Sequence, residues 1–223
     1  SAHVDFPQSQ ADIDPNFNSN KAEIALLDES LDSLNDNKNI VVTRIVVRGS
    51  ASPEGGKAFN SELAHERADA LIEHINQHYN IPQGVLTTYY DTNHWADVRA
   101  WIAGSNIANR GELLAFIDNN AGSDNLNTML MQQYPNQYQI IFDEYYPSLR
   151  SASYDVEYDV KSYKDVDRIV AVAMSKPMSL TSDELQTAAS KVDKSSPQFD
   201  NIVLAMVAKN PEDATANLNA ANV

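Results

Sequence analysis

With 223 residues, 43% of them hydrophobic, the chain has enough apolar material for one medium domain, or one domain with a small appendage. Its 16 Lys+Arg against 31 Asp+Glu leave a net charge of −15, a field that repels nucleic acid phosphates and anionic lipid, so neither is expected as a partner. The absence of Cys excludes disulfides, thiolate metal sites and Cys nucleophiles. No apolar run approaches the roughly 18 residues of a membrane span. The opening Ser1-Ala2-His3-Val4-Asp5 is no signal peptide and reads as a trimmed start, which leaves room for an export signal or anchor upstream.

The first element in chain order is a helix. Asp14-Pro15 reads as an N-cap with Pro at the first helical position, and Ile24, Leu27, Leu31 and Leu34 recur at helical spacing. The acids Asp28, Glu29, Asp32 and Asp36 then fall on its solvated side. Ile40 to Arg48 is rich in β-branched residues and reads as a central strand with apolar residues on both faces. After a Gly/Ser/Pro loop, a second helix runs from about Lys57 to Tyr79 with Leu63, Ala64, Ala68, Leu71 and Ile75 inward. Asn80-Ile81-Pro82-Gln83-Gly84 stops it, and Val85 to Tyr90 is the next strand. Strand, helix, strand in that order, with one helix before, predicts an α/β (α+β) sandwich with a βαβ crossover.

Residues 91–150 read as a helical insertion. Short helices are predicted at Trp95–Ile102, Arg110–Asn119 and Asn125–Tyr134, punctuated by Gly104, Gly111 and Gly122, and a further helix and turn between Tyr134 and Pro147. The Tyr residues at 134, 138, 145 and 146, with Trp95 and Trp101, either fill a core or form a sugar-stacking platform. Tyr154 to Val160 alternates large apolar and acidic residues, a half-buried strand expected at or near the sheet edge. From Asp165 the chain turns Ala-rich and helical, so a boundary falls near residue 162, giving domains 1–162 and 163–223. Thr181-x-x-Glu184 is a capping box, and Asn210-Pro211 an N-cap with Pro following.

The loop between the first strand and the second helix carries the candidate site. A strand, a Gly/Ser/Pro turn and a helix N-terminus gather main-chain N–H donors at one point, and Arg67 adds a planar fork of donors suited to a carboxylate. Asn60 lies seven residues before it on the same helix face. Gly49-Ser50-Ala51-Ser52-Pro53-Glu54-Gly55, followed by Asn60, Leu63 and Arg67-Ala68, resembles the loop–helix signature of OmpA-like peptidoglycan-binding domains, in the form of a divergent branch of Bacteroides-like envelope proteins. The specific part of the resemblance spans residues 13–90.

That resemblance implies a sandwich of helices on a mixed sheet, a periplasmic or outer-membrane-associated location, and binding rather than catalysis, with no cofactor. In the family, a loop Asp and the Arg of Arg-Ala hold the ammonium and carboxylate of diaminopimelate in the peptidoglycan stem peptide. The position of that Asp is Ser52 here. Glu54, two residues on, either supplies the missing charge or pairs with Arg67 and closes the pocket. The candidate ligand-binding residues are therefore Ser52, Glu54, Asn60 and Arg67, with peptidoglycan as the partner.

The tail from Phe199 through Asn210-Pro211 to Ala221 resembles tetratricopeptide-type helices, which implies a protein partner and a chain continuing past Val223. The second reading of function is thus a structural or assembly protein of the envelope, with a degenerate ligand site and a partner bound by this tail. The two readings differ at Arg67: the first needs it open, the second has it neutralised by Glu54 or buried. His74 and His78 sit four apart on the second helix, but no third ligand is apparent in sequence, so no metal is expected. No nucleophile elbow, phosphate loop, dinucleotide fingerprint or zinc-protease motif occurs.

Overall fold

The computed structural model describes residues 1–37, 39–160 and 163–211. The chain divides into two compact units, one of Ser1–Asp36 with Val42–Tyr158, the other of Asn37–Val41 with the chain from Asp159 onward. The sequence placed its single boundary near 162.

The first unit is built on a four-stranded mixed sheet in the order β1-β4-β2-β3, from β1 (Ala2–Asp5), β2 (Ile40–Ser50), β3 (Leu86–Asp91) and β4 (Ser151–Val160). Helix α2 (Lys57–His78) joins β2 to β3, which run parallel with Ile45 opposite Leu86 and Ser50 opposite Asp91, so the predicted βαβ crossover is present. Its inward residues Leu63, Ala64, Ala68, Leu71 and Ile75 are all buried. In β2, Ile45, Val47 and Gly49 are buried on one face; on the other Val42 and Ser50 are buried and Val46 is half-buried, while Arg48 is exposed. Apolar residues thus pack on both faces of this strand, most completely on the face of Ile45 and Val47.

Strand β4 stands next to the edge of the sheet, between β1 and β2, in keeping with a strand at or near the edge. The edge is β1, whose four residues were too short to register as a strand; Ala2 pairs with Tyr154 and Asp5 with Ser151 in antiparallel register. Beyond Tyr154, where the pairing with β1 ends, Val156 is half-buried and Tyr158 and Val160 are exposed. The first helix, α1 (Asn20–Asp36), begins five residues after Pro15. Asp14 instead caps a turn, its carboxylate accepting from the Asn16 N–H, and Asn18 at φ 47° interrupts the helical path. Asn20 then starts the helix fully buried. Its side chain donates to the carbonyls of Asp5 and Asp14 and accepts from the Asp5 N–H, which clamps β1 to α1.

On β1, His3 Nε2 lies 3.1 Å from Asp5 Oδ1. The hydrogen bond to Asp5 raises the His3 pKa above 6.5, and its counterpart lowers Asp5 below 3.8. A raised His contributes stability in full below 6.5 that is lost as pH rises through the folded value. A lowered Asp contributes above 3.8 and loses it as pH falls. The pair's contribution is therefore greatest between these limits. Because His3 is half exposed, the expected size is about 0.5 kcal/mol. Urea melts should show His3→Ala costing more at pH 5 than at pH 8; an equal cost at both would remove the pair as a source of pH dependence.

Residues 91–150 form the predicted helical lobe: α3 (Trp95–Gly104), α4 (Arg110–Asn119), α5 (Leu126–Gln133), α6 (Pro135–Glu144) and a 3₁₀ turn at Tyr146–Leu149. Its core is Val98, Ile102, Leu113, Ile117, Leu126, Leu130 and Ile141 with Tyr138 and Tyr146, while Trp95, Trp101, Tyr134 and Tyr145 pack around it. Of the two readings of these aromatics, the core one describes their position. Tyr146 donates to Asn127 Oδ1 at 2.8 Å, and Asn127 Nδ2 donates to the Tyr138 oxygen at 3.3 Å.

The second unit contains α7 (Val166–Ser175), α8 (Ser182–Ala189) and α9 (Pro197–Lys209) around Ile169, Ala173, Leu180, Leu185, Ala188 and Ile202. The capping box forms: Thr181 Oγ1 accepts from the Glu184 N–H and Glu184 accepts from the Thr181 N–H. The helix expected after Asn210-Pro211 lies outside the described residues. Among those residues no helix is long and apolar enough to cross a membrane.

Candidate functional site

Ser52 and Glu54 lie in the loop after β2, Asn60 in the first turn of α2 and Arg67 at the middle of that helix, beside the C-terminal end of β2 where open α/β sheets place their ligands. They do not converge on one pocket. Arg67 is fully buried. Each of its guanidinium nitrogens donates to a main-chain carbonyl: Nε to Gln10 at 2.9 Å, Nη1 to Ser50 at 2.7 Å and Nη2 to Pro7 at 3.3 Å. The ring of Phe6 lies 5.3 Å from the guanidinium carbon. Burial lowers the Arg67 pKa to about 10, which leaves it charged at neutral pH. The side chain thus ties the segment after β1 to the end of β2, and its donor fork is turned on the backbone.

Glu54 does not neutralise Arg67. Its partner is Arg150, whose Nε donates to Glu54 Oε1 at 2.9 Å and reaches Ser52 Oγ at 3.3 Å. Both side chains are about nine-tenths buried, and Arg150 stacks 5.2 Å from the Phe142 ring. Ser52 is buried as well. So the loop carboxylate and hydroxyl face inward to a cation supplied from the end of the helical lobe. Glu54 Oε2 and Arg150 Nη2 are buried without a hydrogen-bond partner among the described residues, a cost the ion pair has to offset. Sequence reasoning missed Arg150. Its only trace was a loop Glu without a local counter-ion, and the partner lies 96 residues away.

A second buried polar group secures the strand ends. Ser50 Oγ donates to the Leu149 carbonyl at 2.7 Å and lies 2.9 Å from His94 Nε2, which is also 3.1 Å from the Asp91 carbonyl. Asp97 Oδ2 stands 3.5 Å from His94 Nδ1. Serine, histidine and aspartate are all present, yet the proton order is the reverse of a nucleophilic triad. With its hydrogen on Leu149, Ser50 accepts from His94 Nε2–H, whereas a catalytic imidazole takes the serine proton.

Beside these groups a cleft of about 440 Å³ opens between the 53–57 loop, the turn before α3 and the turn before α5. Asn60 lies in its wall, its side chain donating to the Gly55 carbonyl at 3.0 Å. Lys57 and Asp124 also line it; both are well exposed, with Lys57 Nζ 3.4 Å from Asp124 Oδ1. Of the four candidates, only Asn60 reaches this cleft.

No family model matches this chain, and no curated protein matches it.

Proposed function

We propose that this chain is a structural or assembly module of a cell envelope, non-catalytic, in which the 49–67 loop–helix corner is scaffold and a protein partner binds the helical segment 163–223. The envelope setting rests on the resemblance to OmpA-like domains, and the partner on the tetratricopeptide-like tail. The observation that carries the scaffold reading is Arg67: zero exposure, with all three nitrogens given to main-chain carbonyls. To take a ligand carboxylate it would have to abandon those bonds and leave three acceptors behind.

A second reading keeps recognition of the peptidoglycan stem peptide but moves it from Arg67 to the adjacent cleft. It is favoured by the facing Lys57 ammonium and Asp124 carboxylate there, which complement the carboxylate and ammonium of diaminopimelate.

Calorimetric titration of the full chain with diaminopimelate and a stem peptide separates these. The scaffold reading expects no heat from the folded protein. Heat that Lys57→Ala or Asp124→Asn abolishes, and folded Arg67→Lys retains, would establish the cleft instead. Heat lost in folded Arg67→Lys alone would overturn both and restore Arg67 as the ligand's contact.

A further inference from the structure

We infer that Asp28, His74 and His78 form a binding site for a late first-row divalent metal ion, Zn²⁺ by its ligand set, that braces α1 to the last turn of α2. The two histidines are four apart on α2, and their rings stack with centroids 4.9 Å apart and planes 27° from parallel. That arrangement presents both Nε2 atoms to the same side. The third donor comes from α1, where Asp28 is half-buried and turned toward α2 instead of standing on a fully solvated face. Asp28 Oδ1 is 2.7 Å from His74 Nε2 and 3.8 Å from His78 Nε2, and the three donor atoms all lie within 4.8 Å of one another. Tetrahedral ligands at bonds of about 2.0–2.1 Å stand about 3.4 Å apart, so the observed triangle brackets the required one, and side-chain rotation closes the difference.

The chemistry of the donors selects the ion. Two imidazoles and one carboxylate suit Zn²⁺ and its late-transition neighbours, whereas Ca²⁺ and Mg²⁺ take oxygen ligands. The side chains are 19–36% exposed, which admits a hydrated ion and leaves a fourth position to water. His78 is the last residue of α2, at the negative end of the helix dipole. Its carbonyl accepts from Asn35 Nδ2 of α1 at 2.7 Å, so the two helices are already registered where the ion would sit.

Without metal, Asp28 and His74 are still a sound hydrogen-bonded tie between helices. His78 is what that simpler role leaves unexplained: at 3.8 Å it adds no hydrogen bond, but it completes a coordination set.

The test is calorimetric titration of the full chain with ZnCl₂, and with MgCl₂ as control. Zn²⁺ is expected to bind one to one, to raise the melting temperature, and to lose at least about tenfold in affinity in His78→Asn and again in Asp28→Asn; Mg²⁺ is expected to give no site. Loading with Co²⁺ should produce a tetrahedral visible spectrum that His74→Asn abolishes. Circular dichroism confirms that each variant is folded. Binding unchanged in His78→Asn or Asp28→Asn would place the ion elsewhere, on His3, His65 or His94, and overturn the assignment. So would a folded wild type that takes up no Zn²⁺.

Discussion

Replacing Arg67 by Ala is expected to lower the unfolding free energy of the first unit by about 4 kcal/mol. Three main-chain acceptors, on Pro7, Gln10 and Ser50, lose a charged donor at once. Hydrogen bonds to charged groups are worth about 1.5–3 kcal/mol each, and a buried acceptor left alone costs about 1–3 kcal/mol. The bond to Ser50 is wholly buried and counts in full, while those to Pro7 and Gln10 lie nearer solvent and are partly replaced by water. Truncation also opens a void where the buried side chain stood. Against total stabilities of about 5–15 kcal/mol, this brings the protein close to unfolding at room temperature. Arg67→Lys, with one compact donor group in place of the fork, should fall about halfway. Urea denaturation gives the answer directly: a lower midpoint with unchanged slope. A ligand-facing surface Arg would instead leave the midpoint within about 0.5 kcal/mol of wild type, and that result would refute the anchoring role.

How much of this was legible in the sequence depends on the range of each interaction. The inward face of α2, the parallel β2–β3 pair, the four helices of the lobe and the Thr181–Glu184 box all follow from periodicity, glycine punctuation and capping, signals written within a few residues. That Arg67 points inward was readable too, because it shares a helix face with Asn60 and Leu63. What it touches was not, since Gln10 and Pro7 lie 57 and 60 residues earlier in an irregular segment. The Glu54–Arg150 pair spans 96 residues, and Asp28 meets His74 across 46. No local spacing records such meetings; they exist only once the sheet has fixed where each element ends. The metal reading shows this most directly. Two histidines at helical spacing looked incomplete because the third donor belongs to another helix. Strand β1 escaped for the opposite reason: at four residues it carries too little pattern, and its place is dictated by β4 and by the Asn20 clamp.

Gly49→Ala is expected to cost at least about 3 kcal/mol, because β2 and α2 touch there backbone to backbone. A Cβ on Gly49 would stand 1.9 Å from the Ala64 carbonyl oxygen, 2.9 Å from the Ala68 nitrogen and 3.0 Å from the Ala64 carbonyl carbon. None of these atoms can rotate away, so α2 itself must move outward. Overpacking a core by one methyl costs about 1–3 kcal/mol when side chains yield, and more when they cannot. Moving α2 also lengthens the hydrogen bond from Arg67 to Ser50, the residue next to Gly49. The two substitutions therefore remove overlapping parts of one contact. The double variant Gly49→Ala/Arg67→Ala should be less destabilised than the sum of the singles, by about 1 kcal/mol or more. Gly111→Ala is the matched control: it lies in α4, exposed, with nothing within 4 Å of an added Cβ, and should be neutral or stabilising by up to about 1 kcal/mol. Additive losses in the cycle would separate the glycine from the arginine anchor. A neutral Gly49→Ala would mean that α2 can retreat from the sheet at no cost, and the corner would then be free to open toward a ligand after all.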